Sequence, residues 1–215
     1  MSNQFALGQD EQDMMQPNTS TSFQIQFARQ VSTILSPITV SLPLVILVAL
    51  YHSTNTLNAL IYAVITLFFL SIGPMIYILI GVRRGKYIDV DLSLRKQRAG
   101  PFLFGIVSTT IGLLILIFTH GPKNLQTLLL ITTISGVLMM VTTLWWKISI
   151  HASSLAGAVT ILTSLYGAIV LPAYLLVVLV SWSRVVLRHH TIAQVVVGSV
   201  ASIILPIVTF KIRGM

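Results

Sequence analysis

Apolar residues run along this chain in blocks rather than in stripes. No Asp, Glu, Lys, Arg or His interrupts residues 30–51, 53–82, 99–119, 124–146, 152–183 or 191–210. A helix on the surface of a soluble protein turns a polar face to water every few residues. These blocks do not, and each reaches the roughly 20 apolar residues that a bilayer crossing requires. The pattern predicts helices over about 28–50, 57–81, 102–119, 125–145, 150–166, 171–186 and 190–210. Pro37 and Pro43 are expected to kink the first. The block at 152–183 is too long for one crossing and barely long enough for two, and Gly167 and Pro172 mark a turn inside it. The expected fold is an all-α integral membrane bundle of six or seven transmembrane helices.

Composition agrees. Of 215 residues, 55% are hydrophobic and 8% are charged, where a soluble domain carries about 25% charge. The absence of cysteine excludes disulfides and thiolate metal sites. Residues 1–22 are polar and mildly acidic, without the basic start and apolar centre of a cleavable signal peptide. They read as a disordered tail ahead of a transmembrane domain over 23–215, whose first helix serves as an uncleaved anchor.

Charge changes the picture. The polar stretches at 83–101, 147–151 and 183–190 are each separated by two predicted helices, so they emerge at one face. They carry Arg83, Arg84, Lys86, Arg95, Lys96, Arg98, Lys147, Arg184 and Arg188, nine of the 13 basic residues, with His151, His189 and His190. Outside the tail the only acids are Asp89 and Asp91. Topology-setting loop charge accounts for Arg83, Arg84 and Lys86. It does not account for histidines that are mostly neutral at pH 7. Arginines at a membrane edge are costly unless an anion joins them. Phosphate matches the guanidinium fork, and a histidine beside it can act as nucleophile or general acid.

The segment SRVVLRHHTIAQ, 183–194, is similar to the third signature of the type 2 phosphatidic acid phosphatase superfamily, Ser-Arg-x5-His-x3-Asp. Ser183, Arg184 and His190 fall in register. KISIHA, 147–152, resembles the second signature, Pro-Ser-Gly-His, through Ser149 and His151. LRKQRAGPF, 94–102, resembles a loose first signature through Arg98 and, more weakly, Arg95. The position seven before Arg98 is Asp91, so the strict spacing of that signature is absent. The resemblance spans roughly residues 83–205. It implies a membrane lipid phosphatase that needs no metal or cofactor. His190 would attack phosphorus and become a phosphohistidine, and His151 would protonate the leaving oxygen. Arg184, Arg98, Arg95 and Ser149 would hold the phosphate oxygens, joined by Lys147, with Ser183 beside them.

The family pattern places an acid where this chain has Gln194. A glutamine carbonyl can still accept the Nδ1 proton of His190, but it brings no negative charge. The run His-Thr-x-x-Gln, 190–194, resembles polyprenyl or dolichyl diphosphate phosphatases. Polyprenyl diphosphate is therefore the first expected substrate, followed by phosphatidic acid or phosphatidylglycerol phosphate.

Other residues have plainer roles. His189 points away from the face of His190 if both are helical. His52 and His120 lie in turns at the opposite face, and Trp145, Trp146 and Trp182 suit an interfacial belt. Asp89 and Asp91 are too few for two-metal chemistry; capping or local ion pairing explains them more simply. Gly157, Gly198, Ser199 and Ala201 allow close helix packing. The expected partners are a lipid phosphate and the bilayer, with no nucleic acid and homo-oligomerisation left open. The expected location is the cell membrane. Two rival readings remain: a non-catalytic phospholipid binder or carrier of the same fold, and a Mg²⁺-dependent prenyl or alcohol-phosphate transferase using the aspartates. The face carrying the site is open, since the cations that vote for the cytoplasm are largely the site itself.

Overall fold

The computed structural model describes residues 19–92 and 94–214, with side chains from Phe23 onward. All regular structure in these residues is helical. Among the described residues, six helical stretches are long and apolar enough to cross a membrane. The protein is a multi-pass integral membrane helical bundle.

The first stretch is α1 (Thr19–Ile34) and α2 (Pro37–Leu50). The chain breaks between them where Ser36 caps α2, its hydroxyl accepting the Thr39 N–H, and Pro37 opens the first turn. Proline fits there because that turn has no N–H partner to lose. Pro43, by contrast, lies within continuous α2. The second stretch joins α3 (Thr56–Leu67) to α4 (Gly73–Arg83) through a widened π turn at Phe68–Ile72. Pro74 follows directly, and the extra residue in the turn accommodates its missing N–H. The Ser108 hydroxyl of α5 donates to the Phe69 carbonyl within that turn, at 2.7 Å.

Helices α5 (Ala99–Phe118) and α6 (Lys123–Trp145) form a closely packed pair. The stretch from Ile150 to Val186 is α7 (Ile150–Tyr166), a 3₁₀ segment Gly167–Ala173 and α8 (Tyr174–Val186). It does not cross once. Gly167 takes φ +76, a left-handed conformation that favours glycine, and the chain doubles back. Tyr174 Oη then meets Thr160 Oγ1 at 2.8 Å, and Val177 and Val180 pack on Leu155 and Val159. Both ends of this stretch reach the same end of the bundle. Helix α9 (Ile192–Ile212) completes the fold against α7.

Large apolar residues lie on the outside as well as in the core. Leu57, Val64, Phe118, Leu175 and Ile204 face outward, while Thr66, Thr127 and Ser183 are fully buried. Without water to exclude, small residues and close backbone approach hold such bundles together. Buried threonines satisfy their hydroxyls on the carbonyl four residues earlier, as Thr66, Thr127 and Thr160 do.

The start of the first helix shifts. Residues 1–18 of the polar tail lie outside the described residues, but Thr19–Ser22 are already helical, so the first helix starts about nine residues earlier than apolarity alone placed it. Its opening turns carry Gln24 and Gln26, which hydropathy reads as loop.

Candidate anion site at one end of the bundle

The three polar stretches meet as their spacing required. Lys147 Nζ donates to the His189 carbonyl at 3.0 Å, Arg98 donates to the Ile148 carbonyl at 3.1 Å, and Arg184 pairs with Asp91 at 3.2 Å. The Ser149 N–H reaches the Gln194 carbonyl at 3.4 Å.

The turn from α8 to α9 sets the histidine. Arg188 takes φ +54, which reverses the chain after α8. The N–H groups of His189 and His190 then both donate to the Arg184 carbonyl, at 3.1 and 3.2 Å. Thr191 caps α9 and forms a capping box with Gln194. Gln194 Oε1 accepts the Thr191 N–H at 3.2 Å and lies 3.1 Å from His190 Nδ1. An oxygen facing a backbone N–H can only accept, so Nδ1 carries the ring proton and Nε2 keeps its lone pair. His190 thus precedes the helix rather than lying on it. Gln194 meets it by reaching back over the cap, not by sharing a helical face.

Lys147, Arg184 and Arg98 surround this imidazole. Burial, then those three cations in that order, lowers the His190 pKa to about 3, against which the Gln194 hydrogen bond works. Lys147 is itself lowered by burial and by Arg98 and Arg184. His189 is lowered by burial and Arg184. His190 is therefore neutral at neutral pH, with its Nε2 lone pair free.

His151 starts α7, behind the Ser149 N-cap whose hydroxyl accepts the Ala152 N–H. Arg98 is 2% exposed and donates to the carbonyls of Leu92 and Ile148. Arg184 is 3% exposed and donates to Ser32 Oγ at 2.7 Å and to Asp91; its Nε has no partner among the described residues.

A cavity of about 360 Å³ brings Arg98, His151, Arg184 and His190 together with Asp91. It continues between the helices past Leu44, Ile78, Ile106, Ile131 and Met139. The charged side chains thus share the cavity with a lining that is mostly apolar, interspersed with serine and threonine.

Not every candidate enters this cavity. Arg95 is exposed, with a long 3.4 Å contact to the Leu144 carbonyl. Lys147 ties two turns together, Ser149 caps, and the Ser183 hydroxyl bonds to the Val180 carbonyl. Two residues were missed. Ser32 comes from the first helix, outside the motif region, and a lone serine in an apolar block carries no signal. Asp91 is drawn to Arg184, 93 positions away, where local pairing was expected. No family model matches the chain, and neither does any curated protein or solved structure.

Proposed function

We propose that the protein is a membrane lipid phosphatase that hydrolyses a lipid phosphomonoester or diphosphate through a phosphohistidine, without metal. One observation carries the reading: two histidines and two buried arginines converge on a cavity whose remaining lining is mostly apolar. An amphiphile with a phosphorylated head and a hydrocarbon tail has that distribution of chemistry.

His190 Nε2 attacks phosphorus as the bond to the lipid oxygen breaks. His151 supplies the proton that oxygen needs to leave. Arg184 and Arg98 lie where charge builds on the phosphoryl oxygens, the role in which fixed cations accelerate phosphoryl transfer. Water, deprotonated by His151, then cleaves the phosphohistidine and releases inorganic phosphate. Polyprenyl diphosphate is the first substrate class and phosphatidic acid the second, in the cell membrane. Gln194 favours a second reading, a non-catalytic phospholipid binder, because an amide cannot balance charge forming on His190.

Detergent-purified protein with EDTA should release phosphate from one of these lipids, and His190→Ala should abolish release while the protein still folds. Turnover surviving in His190→Ala would sink the mechanism. Lipid binding without release in the native protein would establish the second reading.

A further inference from the structure

Two adjacent residues engage both buried arginines. Asp91 Oδ2 accepts from Arg184 at 3.2 Å, and the Leu92 carbonyl accepts from Arg98 Nε at 2.8 Å. We propose that Asp91 is the internal counter-ion of the anion site and a specificity-determining residue: a phosphoryl group must displace it from Arg184, so dianions enter and monoanionic phosphodiester headgroups do not. This rests on the phosphate-site reading above.

A guanidinium buried to 3% exposure needs an anion. In this structure it has Asp91 and the Ser32 hydroxyl, and Nε is left over. A phosphoryl group would offer acceptors to Nε and a terminal nitrogen together. It would also stand against the Asp91 carboxylate, and like charges at such range repel strongly where water is scarce. The two anions therefore compete for one guanidinium. A phosphomonoester or terminal diphosphate brings up to two charges to that contest. A phosphodiester brings one, no more than Asp91 already supplies. Bilayers are built of phosphodiester headgroups, so an uncovered arginine pair at the membrane edge would be filled by them.

The carboxylate has room to leave. Its side chain is 44% exposed. It also lines a second, outer cavity with Arg29, Arg188 and His189, cationic or ionisable side chains on the far side of Arg184. Leu92 beside it is buried and holds Arg98 through its carbonyl, so the Asp91 side chain swings away while the backbone stays.

The test is equilibrium binding of inorganic phosphate in a phosphate-free glycoside detergent, with phosphatidylglycerol added in mixed micelles as the phosphodiester competitor. Asp91→Asn and Asp91→Ala, checked for folding by their melting curves, should bind phosphate about ten-fold tighter than the native protein, the scale of one close repulsion removed. Phosphatidylglycerol should displace phosphate from these variants and not from the native protein. Asp91→Glu should behave as native. Equal phosphate affinity in folded Asp91→Asn and native protein overturns the role of Asp91 alone. If no form binds phosphate, the anion site and the phosphatase reading fall with it.

Discussion

His190 occupies an unusual electrostatic position for a residue next to an amide partner. An imidazole ordinarily titrates near 6.5; burial and the neighbouring Lys147, Arg184 and Arg98 bring this one to about 3. A lowered histidine pKa disfavours the protonated form. At pH 5 an ordinary imidazole is almost wholly cationic, while His190 is almost wholly neutral. Nitrogen NMR of the ring should therefore show the neutral Nδ1–H tautomer held from pH 7 down to about 4. Inorganic phosphate should shift the titration upward, because it neutralises the cations that depress it. Gln194→Glu keeps both acceptor contacts and adds a negative charge, so it should also raise the pKa; Gln194→Ala should lose the single tautomer. An unchanged titration in Gln194→Glu would show that the contact does not tune the ring. The resemblance to three short signatures singled out His190, Gln194, His151, Arg98 and Arg184. It could not show that Gln194 acts through a helix cap, because that depends on where α9 begins.

Helix α9 starts at its Thr191 cap and lies almost against α7. A Cβ on Gly198 would come within 2.5 Å of Ile148 Cγ2 and Ser153 Oγ, at the start of the helix that carries His151. Gly198→Val should force α9 outward, with overpacking costing about 1–3 kcal/mol. The displaced cap would also separate His190 from Arg184. The expected result is a lower melting temperature together with weakened phosphate binding. Gly105→Ala, where a Cβ meets nothing within 4 Å, should leave the melting temperature unchanged. Retained phosphate affinity in Gly198→Val would show that the site does not depend on this packing. The element scale was legible where polarity changes sharply: the predicted helix at 150–166 matches α7 as Ile150–Tyr166. It was less legible where a helix begins in polar residues, as α1 does, or where several turn residues compete, as between Gly167 and Pro172.

The protein gathers most of its basic residues at one end of the bundle, with a largely apolar cavity beneath. The convergence of three polar stretches was legible from counting crossings, since two helices return a chain to the face it left. The interior shape was not, because block hydropathy does not distinguish a lipid-facing leucine from one lining a cavity. The cavity that holds His190 and Arg184 runs on past Ile106, Ser135, Gly136 and Met139, so the protein itself can shelter the start of a hydrocarbon tail. Binding energy from such a remote part of a substrate helps position the reacting group. Ser135 is half-buried on α6, well away from the charged end in sequence and from the core leucines Leu125, Leu128 and Leu129. Ser135→Phe should fill this arm and leave the histidines in place. For a long-chain lipid phosphate, kcat/KM should fall about ten-fold, a loss of about 1.4 kcal/mol. A short-chain, water-soluble phosphate ester, which never enters the arm, should be turned over as before. Equal losses on both substrates would mean the substitution disturbs the site, and no loss on either would place the tail outside the bundle, against lipid.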